Sequence, residues 1–138
     1  MIKKTLLKIT LMYPLKRNRR LRSSESIRAL VRENSLTPND FIVPLFAVEG
    51  LNVKEEITSM PDYYRMSLDH LKKEVRELWS MGIKAVLVFV KVPEKLKNNK
   101  GTEALNPNGL MQRAVALIKE TVPEIIVMTD VALDPYSS

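Results

Sequence analysis

The sequence of 138 residues has no cysteine and one histidine, His70. Without thiols there is no disulfide, no thiolate zinc site and no cysteine nucleophile, and a single imidazole cannot build a histidine cluster. Any metal ion must therefore be held by oxygen. A chain without cysteine also suits a reducing compartment. Acidic residues are missing from one region: residues 1–24 carry Lys3, Lys4, Lys8, Lys16, Arg17, Arg19, Arg20 and Arg22 with no Asp or Glu, so this region is +8 and, against +6 for the whole chain, the remainder is −2, nearly neutral. Such a segment can meet nucleic acid or an anionic membrane, but the commoner arrangement, and the expected one, is an exposed extension that packs on a partner subunit. Long hydrophobic runs are lacking too. The longest in this segment, "ITLMYPL", is too short to span a bilayer and is bounded by Lys8 and Lys16. No clean apolar stretch with a small-residue cleavage site marks a secretory signal; an acid-free basic segment is also the signature of a transit peptide, and the cytoplasm is the expected compartment.

With 45% hydrophobic residues the chain can bury a modest core. In "SSESIRALVREN", Ile27, Leu30 and Val31 fall at helical spacing behind serines able to cap them. "DFIVPLFAVEG" and "IKAVLVFVKV" are nearly continuous apolar runs, the pattern of strands buried on both faces of a parallel sheet. Pro44 weakens the first, because proline cannot donate to a ladder. Residues 51–66 have little periodicity and read as a long loop or small hairpin. "SLDHLKKEVRELWSMG" places Leu68, Leu71, Val75, Leu78 and Trp79 on one stripe, with Ser67 as N-cap and Gly82 as the stop. His70 lies off that stripe and reads as an exposed first-turn residue. A second helix, "PNGLMQRAVALIKETV", carries Leu110, Ala114, Leu117 and Ile118 on one face and ends at Pro123, ahead of the strand "EIIVMTDVALD". Strand, helix, strand, helix, strand is the order of an α/β fold with parallel strands. Three strands do not close a barrel of about 250 residues, so the chain is expected to be the first part of a longer protein.

Side chains alternate along the last strand, so Asp130 and Asp134 share a face with Ile126, Met128 and Ala132. At the carboxyl end of a parallel strand, two carboxylates suit contact with a cation: a lysine, a metal or a charged substrate. They also suit duller duties, Asp134-Pro135 opening a turn and Asp130 capping nearby backbone. Magnesium fits an oxygen-only site, although two acids without a glycine-rich loop are a thin metal signal. Lys91, at the end of the second strand, can be read as a Schiff-base nucleophile. The run Lys91, Lys95, Lys97 and Lys100 reads more simply as a solvated surface.

Taken together, "RNRRLR" (17–22), "LVREN" (30–34), "PLFAVEG" (44–50), "SMPDYYRMSLDHL" (59–71), "NPNGLMQRA" (106–114) and "TDVALDPYSS" (129–138) closely resemble the N-terminal part of the porphobilinogen synthase, or 5-aminolevulinate dehydratase, family. The resemblance implies the N-terminal part of a TIM (β/α)8 barrel with a basic N-terminal arm. Residues 1–39 would form the arm with its short helix, and 40–138 the first three strands and two helices. It also implies condensation of two 5-aminolevulinate molecules, with loss of water, to porphobilinogen for haem synthesis. The partner is a homo-octamer joined through the arm, with neither nucleic acid nor membrane. The two Schiff-base lysines of the family lie on later strands, so residues 1–138 alone are expected to be inactive. Asp130 matches the family's active-site aspartate, and Ala132 and Asp134 match positions where zinc-dependent members carry cysteine. This is the aspartate-type, zinc-independent pattern, with Asp134 as a metal ligand and magnesium held mainly outside this segment. Asp62 stands where the family has glycine, and Lys91 matches no family lysine. The rival readings are another Schiff-base barrel aldolase using Lys91, or a truncated product that binds through its basic arm.

Overall fold

The computed structural model describes residues 19–137. Most of the acid-free basic stretch, including "ITLMYPL", lies outside the described residues. The described residues fall into two units that divide after Ser35. In the first, a 3-10 turn at Arg20–Arg22 precedes helix α1, Glu25–Leu30. As its sequence suggests, Ser24 caps α1, its Oγ accepting from the Ile27 N–H at 3.2 Å. Glu25 pairs with Arg28 at 2.5 Å and with Arg32 at 3.4 Å.

The second unit opens with a 3-10 turn, Pro38–Asp40, closed by a capping box between Thr37 and Asp40. Strand β1, Ile42–Val48, is followed by the hairpin β2, Lys54–Glu56, and β3, Tyr64–Met66. Helix α2, Leu68–Ser80, strand β4, Ala85–Lys91, helix α3, Leu110–Thr121, and strand β5, Ile126–Thr129, complete it. The sheet order is β2-β3-β1-β4-β5, with β1, β3, β4 and β5 parallel and β2 antiparallel to β3. The α/β alternation is therefore present, with a hairpin added in residues 51–66. Pro44 is tolerated because β3 pairs only with Phe46 and Ala47, leaving β1 an edge where the proline sits.

Helix α2 ends as Gly82 requires. With φ at 94°, Gly82 donates to Trp79 O at 3.0 Å while Ile83 donates to Leu78 O at 3.1 Å, a Schellman closure. Its start differs in detail from the expected side-chain cap. Ser67 occupies the N-cap position, but its buried hydroxyl donates to Asp69 Oδ1 at 2.6 Å and accepts from the Val53 N–H at 2.9 Å. The backbone N–H of Asn52 donates to Asp69 at 3.1 Å, and His70 Nε2 lies 3.0 Å from Asn52 Oδ1. His70 is consequently half-buried against the 50–53 loop, not exposed.

The Ser67 hydroxyl, helped by the Asn52 N–H, holds the Asp69 carboxyl below its ordinary value of 3.8. A depressed carboxylate stabilises the fold above the unfolded-state value, and the contribution is lost as pH falls through the folded one. Melting temperatures measured from pH 7 down to 2 should fall less steeply on the acid side in Asp69→Asn than in the parent.

Asp62 has φ of 64°, in the left-handed region where glycine is at ease. It turns the loop between β2 and β3, in which Ile57 N–H donates to Tyr63 O at 2.8 Å. Relief of a left-handed side chain, about 1 kcal/mol, is partly offset by a looser unfolded chain. Asp62→Gly should raise the stability read by denaturant titration by about 0.5 kcal/mol, and Asp62→Val should lower it.

The core lies on one side of the sheet. Leu45, Ala47, Val86, Val88 and Ile125 form a buried cluster with Leu71, Val75 and Leu78 of α2 and Leu110, Ala114 and Ile118 of α3. Of the two faces expected to be buried, only one is covered by the described residues. Both helices pack on the same face, and Ile42, Met128 and Ile126 on the other are 53%, 42% and 59% exposed. The apolar composition of both faces calls for a second covering layer, which the described residues do not supply. Among those residues no helix is long and apolar enough to cross a membrane.

Candidate active site

Because β1, β4 and β5 run parallel, their carboxyl ends fall along one edge of the sheet, where α/β folds place their ligands. A cleft of about 500 Å³ opens there. Its floor is aromatic: Phe46 of β1 stacks on Phe89 of β4 with centroids 5.3 Å apart and 18° between planes; outside the lining, Tyr63 meets Phe46 edge-on at 6.3 Å.

One wall comes from the segment after β5. The strand stops at Thr129, earlier than the apolar run suggests, yet Asp130, Ala132 and Asp134 all line the cleft. The period-two alternation thus carries the acids to one side even where ladder pairing has ended. Leu133 then starts a turn, its carbonyl accepting from the Tyr136 and Ser137 N–H groups at 2.9 and 3.0 Å. The turn is seated by the loop after β4: Asn98 N–H donates to Tyr136 O at 3.2 Å, and Gly101, at φ 60°, packs against Leu133 and Tyr136. Tyr136 is buried in this seat, which together with the nearby charge of Glu103 pushes its phenol above the ordinary value.

Asp130 and Asp134 are both exposed at the cleft rim, and among the described residues neither makes a hydrogen bond or an ion pair. Neither meets a cation among the described residues, so the charge they were expected to face is not one of residues 19–137. Remaining solvated, they carry no desolvation cost that would demand a counter-charge. Three cations nevertheless line the same cleft: Arg65 of β3, Lys91 at the end of β4, and Lys97. Lys91 is exposed, as its sequence context suggests, and lies 3.7 Å from Glu55. Lys97 departs from the solvated-surface reading, with a side chain only 20% exposed and 2.7 Å from Glu94. Arg65 was not legible as a site residue, because only the pairing of β3 with β1 carries it beside Phe46. Outside the cleft lining, Arg113 of α3 is ion-paired with Glu49.

The arrangement can bind a ligand with charge of both signs: two carboxylates without counter-ions among the described residues, three cations in the same lining, and a partly apolar floor. No group of three His, Asp or Glu residues able to enclose a metal ion occurs among the described residues.

A family model described as delta-aminolevulinic acid dehydratase matches residues 15–138. The delta-aminolevulinic acid dehydratase of Bacillus subtilis (strain 168) is 47% identical over 121 residues, covering 88% of this chain and 37% of that protein. That of Synechococcus elongatus is 45% identical over 126 residues, covering 91% and 38%. The chain thus spans little more than a third of the length of the curated relatives it matches. A crystal structure of the Toxoplasma gondii ME49 enzyme, porphobilinogen synthase in complex with its reaction product porphobilinogen, superposes with a TM-score of 0.82 at 44% identity, over 89% of this chain and 35% of that one. The sheet and its two long helices are accordingly part of a TIM (β/α)8 barrel, in which the uncovered face is the inner one. By the match over residues 15–138 and the identity of its relatives, the chain belongs to the delta-aminolevulinic acid dehydratase family.

Proposed function

We propose that the chain supplies one wall of the active site of a porphobilinogen synthase, a lyase that condenses two molecules of 5-aminolevulinate, with loss of water, to porphobilinogen. The observation that carries this reading is the opening of Asp130 and Asp134, both without a hydrogen bond or ion pair among the described residues, into one cleft at the carboxyl ends of parallel strands. Asp130 is the catalytic group. Its carboxylate, free of competing donors, takes the substrate amine, stabilises a cationic imine beside it and accepts a proton as the ring forms. The Phe46–Phe89 stack gives the substrate carbons an apolar surface and thins the water around the reacting atoms. Lys91 is not the nucleophile in this reading, since it lies at the solvent-exposed end of β4 beside Glu55.

Asp134 is proposed as a single oxygen ligand for magnesium. Its oxygens are unengaged among the described residues, and magnesium needs only one or two carboxylates, with water, substrate or further polypeptide completing the shell. When bound there the ion would supply positive charge to developing anionic oxygen. Ala132, Asp134 and the absence of cysteine favour the zinc-independent branch. Residues 1–39 are proposed as the arm and 40–138 as the barrel segment of a homo-octamer in the cytoplasm. The acid-free basic composition of residues 1–24 supports subunit docking over nucleic acid or membrane contact.

Joining residues 1–138 to the remaining portion of the Bacillus subtilis relative tests the reading. The folded fusion should form porphobilinogen from 5-aminolevulinate; a folded fusion that forms none contradicts it.

A further inference from the structure

Arg65 differs from the other two cations of the cleft. Lys91 is beside Glu55 and Lys97 beside Glu94, so each already has a counter-charge. Arg65 is half-buried and has neither a hydrogen bond nor an ion pair among the described residues. Its register opposite Phe46 places it at the edge of the aromatic floor, in the same cleft as Asp130 and Asp134. A guanidinium is a rigid fork of donors matched to a carboxylate, and leaving those donors partly desolvated without an acceptor is costly. The two nearby aspartates do not fill that role, because neither is in ion-pair contact with it.

We infer that Arg65 is a carboxylate-binding residue of this cleft, facing an acid that residues 19–137 do not provide. The carboxylate comes either from a small amino acid-like ligand or from an Asp or Glu side chain of further polypeptide. The first source deepens the function proposed above and rests on it: a zwitterion would put its carboxylate on Arg65 and its ammonium on Asp130. The second source is independent of that reading.

The experiment follows the Arg65 Nε–H resonance of the 15N-labelled chain of 138 residues during titration with acetate, with acetamide as the neutral isostere, and with 5-aminolevulinate. Acetate should shift the resonance and acetamide should not, and the shift should vanish from the spectrum of Arg65→Gln while Arg65→Lys keeps weakened acetate binding. If 5-aminolevulinate saturates at roughly tenfold lower concentration than acetate, the size of one added charge-assisted hydrogen bond, the acid is the small zwitterion. Equal saturation by the two assigns the site to a side-chain carboxylate. Identical responses to acetate and acetamide overturn the inference, and since the comparison uses the unaltered chain, that result stands even if the variants fail to fold. Turnover plays no part in the readout, so an inactive fusion would sink the proposed reaction without touching this result.

Discussion

Replacing Asp130 by Asn in the fusion with the Bacillus subtilis remainder is expected to lower kcat for porphobilinogen formation by about 10²–10⁴-fold. The loss follows from the chemistry of the position. Asparagine matches the carboxylate in size but cannot accept a proton and carries no charge to hold a cationic amine or imine. Since Asp130 is exposed and makes no hydrogen bond or ion pair among the described residues, the substitution removes no such bond. The melting temperature of the fusion should therefore be unchanged within error while kcat falls. Asp134→Asn is a useful companion. On the proposal that Asp134 is one ligand of a magnesium ion held mainly by other groups, the substitution should raise the magnesium concentration needed for half-maximal activity and leave kcat at saturating magnesium near the parent value. Equal kcat losses in both variants at saturating magnesium would mean that the two acids act as a unit, contrary to a proton-transfer role for Asp130 and a metal-binding role for Asp134.

The second large effect concerns stability. Ile118 of α3 is completely buried in the cluster that joins both long helices to the sheet. Ile118→Ala should cost about 2–5 kcal/mol, the sum of lost transfer energy and a cavity that the packed neighbours cannot close. Met128 has a side chain of similar size on the opposite face and is 42% exposed. In the 138-residue chain Met128→Ala should therefore cost under about 1 kcal/mol by urea titration. In the fusion, where further strands would cover that face, the same substitution should approach the cost of Ile118→Ala. Equal and small costs of Met128→Ala in both proteins would show that the face stays open.

What the sequence disclosed was mainly local. The Schellman stop at Gly82, the cap at Ser24, the stripe of α2 and the end of α3 before Pro123 depend on contacts within a few residues, and each was readable from spacing. Asp130 and Asp134 were readable for the same reason, since alternation along an extended segment fixes sidedness without knowledge of the neighbours. Ser67 shows where this kind of reading stops. Its position at the head of α2 was clear, but its hydroxyl bonds Val53, fourteen residues earlier, and so ties down a loop that has no periodicity. Asn52 and His70 belong to that same tie, which is why His70 is half-covered. Arg65 and Lys97 were hidden for a related reason: the parallel pairing of β3 with β1 places one in the cleft and an irregular loop the other, and neither placement leaves a pattern along the chain. Only half of the reading of doubly covered strands is visible in residues 19–137, on a different ground. Apolar alternation reports which faces need cover, whereas what covers them depends on how many elements the chain contains.

The most direct measurement of the central claim is a crystal structure of the fusion with porphobilinogen bound. If Asp130 is the catalytic group, the product rests on the Phe46–Phe89 stack with its amino group within hydrogen-bond reach of Asp130. Product bound at another place, with Asp130 still facing open solvent, would contradict it.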